Sequence, residues 1–128
     1  MRKLLGVLLL AGWAASLSAA DVPELIKKLG SKDNEERRAA AKELGDLGAD
    51  AKPAVAALTK ALRDDDSFVR RWSADALGKI GPDAKESLPA LEKLLSDGKQ
   101  PVRESAIKAI SKMGPSALSS LTDRKSVV

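Results

Sequence analysis

Apolar residues recur at helical spacing through most of the chain, and the clearest example lies at its centre. Residues 68–80 place a stripe of apolar and small residues on one helical face: Val69, Ser73, Ala76, Leu77 and Ile80. Gly81 and Pro82 follow this stripe and predict the end of the helix, because glycine accepts the backbone conformation after a helix and proline cannot extend one. A second stripe predicts another helix over residues 85–95, with inward-facing Leu88, Leu91 and Leu95. The pattern therefore predicts a pair of helices, called A and B below.

This pair is one copy of a unit that repeats every 33 residues. Residues 69–95 are identical to residues 36–62 at thirteen of 27 aligned positions, and a third copy begins at Val102. The same period predicts a lone B helix over residues 22–29 and a weak last B helix near Leu121, where Arg124 replaces a leucine. We therefore expect six helices and a weaker seventh, arranged as a half repeat, three repeats and a polar tail: residues 22–30, 34–63, 67–96, 100–121 and 122–128. A fixed period of this length is typical of a solenoid, in which each unit buries its apolar face against its neighbours.

Polar residues in the turns predict helix caps. The run of acidic residues at 64–66 forms the turn before the central A helix, and Asp66 or Ser67 is expected to cap that helix. Asp33 and Glu36 have the spacing of a capping box for the first A helix. Pro101 fits the first turn of the third A helix.

Two glutamates occupy positions that are apolar in the later repeats. Glu36 and Glu43 stand where the central repeat has Val69 and Ala76, and their spacing of seven puts them on one helical face. A terminal repeat needs a polar outer face, so we interpret the glutamates as an N-terminal cap of a complete small solenoid. An acid/base pair is the alternative, but the sequence offers no partner residue for it.

The first twenty residues have the layout of a secretory signal peptide. Arg2 and Lys3 precede an apolar run, and small residues at Ser18 and Ala20 favour cleavage after Ala20. A retained membrane anchor is the alternative, but the run is shorter than the ~20 residues that a spanning helix needs. We therefore expect an exported protein, periplasmic or secreted, that has no membrane contact once residues 1–20 are removed and whose repeat domain occupies residues 21–128.

Composition narrows the expected partners and chemistry. Removal of the signal peptide takes away Arg2 and Lys3, so the formal net charge falls from +4 to 4 − 2 = +2. The mature protein therefore does not have the charge typical of a nucleic-acid binder. The chain has no cysteine, histidine or tyrosine, which removes disulfides, the usual nucleophiles and bases, and nitrogen or sulfur metal ligands. We expect neither catalysis nor a cofactor. Calcium binding by the acidic run at 64–66 is an alternative, although the loop spacing of a calcium site is missing.

A row of lysines is the most suggestive functional feature. Lys27, Lys60 and Lys93 are equivalent positions of successive B helices and point away from the apolar stripe. Small residues beside them are expected to leave a shallow groove (Ala56, Ala57, Pro89 and Ala90), with three more cations nearby: Lys52, Arg63 and Lys85. Such a row could bind an acidic partner segment. The alternative is a solvated helix face copied with its repeat.

Trp72 lies on the flank of the central A helix, where the other repeats have Ala39 and Ser105. We interpret it as a packing residue at a repeat junction, with an exposed anchor for a partner as the alternative.

The motif VRRWSADALGKIGPDAK at 69–85, with aspartate in the turn between repeats, resembles HEAT repeats, and in particular the bacterial HEAT-like class first noted in phycobilisome lyases. The resemblance covers residues 22–121 and implies an all-α fold: a short right-handed α-solenoid of antiparallel helix pairs, with A helices on the convex side and B helices on the concave side. It also implies a structural ladder in which arginines bond turn aspartates: Arg37, Arg70 and Arg103 with Asp64 and Asp97. The chain departs from the pattern at Ser31, Glu36 and Ser111.

These observations favour an exported, non-catalytic module that binds a partner protein on its concave B-helix face, and the lysine row favours an acidic partner. The alternative is a structural or accessory subunit that stacks end to end with another repeat protein. The last repeat has only a weak B helix, and an isolated solenoid with fewer than three complete repeats is marginally stable. The protein is expected to be a monomer or a weak end-to-end dimer, and to bind no nucleic acid.

Overall fold

The computed structural model describes residues 17–114, and within that range it contains helices and no strands. Six α-helices follow one another: α1 (Val22–Leu29), α2 (Asn34–Leu47), α3 (Val55–Ala61), α4 (Ser67–Ile80), α5 (Leu88–Lys93) and α6 (Gln100–Lys112). Helices α2, α4 and α6 are the A helices, and α1, α3 and α5 are the B helices. The six predicted helices and the all-α solenoid are confirmed. The weaker seventh helix, with Leu121 and Arg124, lies outside the described residues.

The B helices are less regular than the sequence predicts. The expected continuous helix over residues 85–95 is instead α5 between two 3-10 segments, Gly81–Ser87 and Leu94–Ser96. Pro89 has no N–H to donate, and the N–H of Leu88 donates to the carbonyl of Lys85, three residues back, which tightens this turn. The preceding repeat has the same feature, with a 3-10 segment over Gly48–Ala54 ahead of α3.

The A helices pack side by side through small residues. A Cβ atom placed on Gly78 would lie 2.9 Å from the Cα atom of Ala109 on α6, closer than real Cβ contacts. At the preceding junction, a Cβ on Gly45 would lie 3.6 Å from the Cα of Ala76 on α4. These two glycines therefore let neighbouring A helices approach closely, and the approach is closest at Gly78.

A second set of glycines ends the A helices. Gly48 and Gly81 have φ angles of +56° and +80°, a conformation that residues with a side chain rarely adopt. Gly114, a further 33 residues along, has a φ of +118°. The chain therefore leaves α2 and α4 in the same way, and this sets where α3 and α5 begin.

The first A helix exposes the face that its successors bury. Glu36 is exposed and Glu43 is half-buried, whereas the equivalent Val69, Ala76, Val102 and Ala109 are almost fully buried. The capping box predicted for this helix is wrong in its second half. Asp33 accepts the N–H of Glu35 at 2.9 Å, as a cap should. The N–H of Asp33, however, donates to the Ser31 hydroxyl, which in turn donates to the carboxylate of Glu36, so Glu36 does not reach back to the cap.

Candidate functional site

Arginines of the A helices fix the turns that carry the chain from a B helix to the next A helix. Arg37 donates to both carboxylate oxygens of Asp64, from Nε at 2.8 Å and Nη2 at 3.1 Å. Arg70 makes the same two bonds to Asp97, at 2.8 and 3.2 Å. Arg37 and Arg70 thus each pair with the turn aspartate that the family resemblance implied, one repeat further along.

The same guanidinium groups also hold the turn in front of their own helix. The Nη1 atom of Arg70 donates to the carbonyls of Asp64 and Asp65 at 2.8 and 3.0 Å. The equivalent atom of Arg103 donates to the carbonyl of Asp97 at 2.7 Å. Within residues 17–114, Arg103 has no carboxylate partner. Each complete unit of the ladder therefore ties two successive turns together through one side chain.

Two of the turn aspartates have a pKa below the ordinary value of an aspartate. Burial of Asp97, whose side chain is 9% exposed, raises its pKa, but hydrogen bonds from Arg70 and from the N–H of Lys99 outweigh burial, so the pKa of Asp97 lies below its ordinary value. The pKa of Asp66 also lies below its ordinary value. Burial raises this pKa, but hydrogen bonds from Arg38 and from the N–H groups of Phe68 and Val69 lower it by more than burial raises it. Both groups are ionised in the folded protein at neutral pH.

The sequence analysis missed a second type of ion pair between an arginine and a turn aspartate. Arg38 bonds Asp66 from Nε at 2.8 Å and Nη2 at 2.7 Å, and it bonds Glu35 from Nη1 at 2.9 Å. Its guanidinium also lies 4.8 Å from the centre of the Phe68 ring. The Arg-Arg doublets at 37–38 and 70–71 were the available signal.

The acidic run at 64–66 is part of this network. Asp64 and Asp66 are bonded to arginines, and Asp66 caps α4, as predicted, by accepting the N–H groups of Phe68 and Val69 at 2.8 and 3.4 Å. Among the described residues no group of carboxylates is arranged to hold a metal ion. The arginine contacts therefore account for the carboxylates of Asp64 and Asp66, and Asp65 contributes its carbonyl to a bond from Arg70.

All six predicted cations of the B-helix face are exposed, but the structure gathers only two of them. The two are Lys60 and Arg63, which border a groove of about 570 Å³ between α1 and α3. Lys52 instead forms an exposed ion pair with Asp83 at 3.8 Å, an interaction of little energetic weight. The remaining three stand apart from the groove: Lys27, Lys85 and Lys93.

The groove has an apolar floor. It is formed by Ile26 and Leu29 of α1 and by Ala57 and Ala61 of α3, and Asp64 lies at its edge with its carboxylate held by Arg37. Of the small residues that the sequence placed beside the lysine row, only Ala57 lines this groove. The arrangement can receive an apolar side chain between the two B helices, with cations at the rim.

The other layer carries an aromatic pair. Trp72 is partly buried against the core, and its ring centre lies 5.4 Å from that of Phe68, which is 43% exposed. The position of Trp72 agrees with the packing interpretation. The exposure of Phe68 was not predicted, although the equivalent residues Glu35 and Pro101 indicated a surface position.

Comparison with known proteins identifies the family. A family model for HEAT repeats matches residues 22–111. Two crystal structures of engineered proteins from the Northeast Structural Genomics Consortium are similar over 80% of this chain, each at 29% sequence identity, with TM-scores of 0.70 and 0.67. The matched region covers 50% and 30% of those chains, so the protein spans half of their length or less.

No curated protein matches the sequence. No described helix has the length and apolar character needed to span a bilayer. The repeat pattern, the helix pairs and the family match together show that this chain belongs to the HEAT repeat family.

Proposed function

We propose that the protein is an exported, non-catalytic interaction module that binds an acidic segment of a partner protein in the groove between α1 and α3. Its HEAT repeat solenoid is a fold typical of non-catalytic protein-interaction scaffolds. The observation that carries the finer proposal is the juxtaposition in this groove of an apolar floor and two exposed cations, Lys60 and Arg63.

The chemistry of the groove defines the segment that fits it. Burying one leucine side chain against Ile26, Leu29 and Ala57 would contribute about 2 kcal/mol. Acidic residues on either side of that leucine would meet Lys60 and Arg63, which favours faster association and a defined orientation more than raw affinity. A leucine flanked by glutamates is therefore the simplest probe of the site.

Charge reversal at the rim is expected to remove this binding. In the Lys60→Glu/Arg63→Glu double variant, affinity for the peptide acetyl-Glu-Glu-Leu-Glu-Glu-amide should fall about tenfold or more at low salt, because two attractive contacts become repulsive. Titration of the isotope-labelled protein by NMR measures this. In the unmodified protein, the peptide should shift the amide signals of Ile26, Ala57 and Ala61.

The matched control reverses two charges on the other layer. Lys79→Glu/Lys112→Glu changes the net charge by the same amount at exposed positions of α4 and α6 and should leave peptide affinity unchanged. An equal loss in both double variants would show that only net charge matters and would contradict the groove. Binding that survives replacement of the peptide's leucine by alanine would contradict the apolar floor.

Export is the part of the proposal that depends on residues 1–20. The basic start, the apolar run and the small residues at Ser18 and Ala20 support it. The protein recovered from the cell envelope or the culture fluid of an expressing bacterium is expected to begin at or close to Asp21. Intact-mass measurement checks this, and recovery of a chain that retains Met1 would contradict removal of the segment.

A further inference from the structure

The junction between α4 and α6 lacks the carboxylates that its counterpart between α2 and α4 contains. At the earlier junction, Arg38 is neutralised by Asp66 at 2.7 Å and by Glu35 at 2.9 Å. Asp66 comes from the turn before the next A helix, and Glu35 lies three residues before Arg38 on its own helix. One cation therefore has two acidic partners.

The repeat period places different residues at the later junction. Thirty-three residues after Arg38, Asp66 and Glu35 stand Arg71, Lys99 and Phe68. Both acidic partners are thus replaced, one by a cation and one by an aromatic ring. Within the described part of the chain, the side chains of Arg71 and Lys99 form no ion pair. Arg71 and Lys99 face the same hollow, and no carboxylate of the described chain lines it with them.

These residues line one hollow. It has a volume of about 300 Å³, and besides Arg71 and Lys99 it is bordered by Phe68, Pro101 and Val102. The Phe68 ring has two neighbours, the Trp72 ring at 5.4 Å and the guanidinium of Arg38 at 4.8 Å from its centre. An exposed, fixed apolar surface therefore lies directly beside two unpaired cations.

The solenoid itself does not need an aromatic pair here. In the other repeats, Glu35 and Pro101 occupy the position of Phe68, and Ala39 and Ser105 occupy the position of Trp72. All three A helices nevertheless form at the same place in the repeat. Exposed aromatic residues that are fixed by their neighbours lose little freedom on binding, which is why such residues dominate many interfaces.

We propose that this hollow binds an acidic, leucine-bearing segment of a partner protein. A carboxylate of the segment takes the place that Asp66 has one repeat earlier, between Arg71 and Lys99, and an adjacent leucine packs on the Phe68 ring. Charge complementarity identifies the occupant, because the site supplies both the cations and the apolar contact but no anion. The hollow lies in the A-helix layer and is independent of the groove between α1 and α3.

NMR titration of the isotope-labelled protein tests the proposal with a defined probe, the peptide acetyl-Asp-Leu-Asp-Leu-amide. Binding should shift the amide signals of Phe68, Arg71 and Val102 and the indole N–H of Trp72, while the amide signals of Ile26 and Ala57 in the groove between α1 and α3 serve as an internal reference. The neutral peptide with asparagine in place of aspartate should bind at least tenfold more weakly.

The decisive variant is Lys99→Asp, which returns a carboxylate to the repeat register. That carboxylate should pair with Arg71 as Asp66 pairs with Arg38, and it should accept the N–H of Val102. We expect the melting temperature to rise by about 4 °C and affinity for the acidic peptide to fall at least tenfold, because the anion position is then occupied from within. Lys79→Asp, an exposed substitution in the last turn of α4, should leave peptide affinity unchanged and should not raise the melting temperature, because an acid is unfavourable at the end of a helix.

Each other outcome would overturn the proposal. Unchanged peptide binding in the Lys99→Asp variant would show that the carboxylate does not bind between these cations. Equal shifts with sodium acetate alone would indicate a small-anion site with no part for leucine. Shifts that disappear in the Lys60→Glu/Arg63→Glu variant would assign the peptide to the groove between α1 and α3 instead.

Discussion

Replacing Gly78 with alanine is expected to lower the free energy of unfolding by about 1–2 kcal/mol, although alanine is the better helix former by about 1 kcal/mol. The new Cβ would lie 2.9 Å from the Cα and 3.2 Å from the Cβ of Ala109, so α4 and α6 must move apart. Forcing an extra carbon into a packed interface costs about 1–3 kcal/mol, and a clash of 2.9 Å with a backbone atom belongs to the upper half of that range, which exceeds the gain in helix propensity. Thermal unfolding followed by circular dichroism should show a melting temperature lower by about 5–10 °C.

Gly45→Ala is the matched control, because Gly45 occupies the equivalent position one repeat earlier. Its Cβ would meet Ala76 at 3.6 Å, an ordinary van der Waals distance, so the helix propensity of alanine is gained without displacement. We expect unchanged or increased stability. The two substitutions are chemically identical, and equal effects would contradict a tighter approach of α6 to α4 than of α4 to α2.

The long-range organisation could be predicted because the sequence repeats it. The 33-residue period identifies Gly45 and Gly78 as equivalent and places small residues on the neighbouring A helices. Ser111 stands at the equivalent position of the last A helix and departs from the glycine pattern. Ser111 is exposed, and its hydroxyl donates to the carbonyl of Lys108, so in the described residues no neighbouring helix demands a glycine there.

Local detail was harder to predict, because several weak interactions compete for the same backbone groups. Asp33 and Glu36 have the spacing of a capping box, yet the hydroxyl of Ser31 takes the N–H that Glu36 was expected to bind. In the B helices the leucine spacing indicated one continuous helix, but proline and a hydrogen bond from the Ser87 hydroxyl to the carbonyl of Ala84 favour the tighter 3-10 turn.

The candidate site was predicted in composition and not in shape. Sequence position alone shows that Lys27, Lys60 and Lys93 are equivalent and exposed. It does not show which of them border a groove, since that depends on how closely successive B helices approach. The α1–α3 groove contains Lys60 but neither Lys27 nor Lys93. Likewise, the absence of an acid beside Arg71 becomes meaningful only once the structure shows Arg38 bonded to Asp66 and Glu35.

Loss of Arg70 is expected to destabilise the protein by about 2–3 kcal/mol, because one side chain ties two turns together. Its guanidinium bonds Asp97, whose side chain is 9% exposed, and the carbonyls of Asp64 and Asp65. Arg70→Met keeps the aliphatic stem but leaves the carboxylate of Asp97 without its charged partner, and removing one member of a largely buried pair is costly. Chemical denaturation measures the loss. Lys79→Met, an exposed change on the same helix, should stay within about 0.5 kcal/mol of the unmodified protein.

The pH dependence separates an ionic role of Arg70 from simple packing. Because the pKa of Asp97 in the folded state lies below its unfolded value of about 4, its pairing stabilises the protein fully above pH ~4. That contribution is lost as the pH falls through the folded-state pKa. The difference in unfolding free energy between the unmodified protein and Arg70→Met should therefore be constant near pH 7 and shrink below pH ~4. A difference that remains the same down to pH ~2 would mean that Arg70 stabilises the turns through its carbonyl bonds and its stem, and that the ion pair with Asp97 contributes nothing.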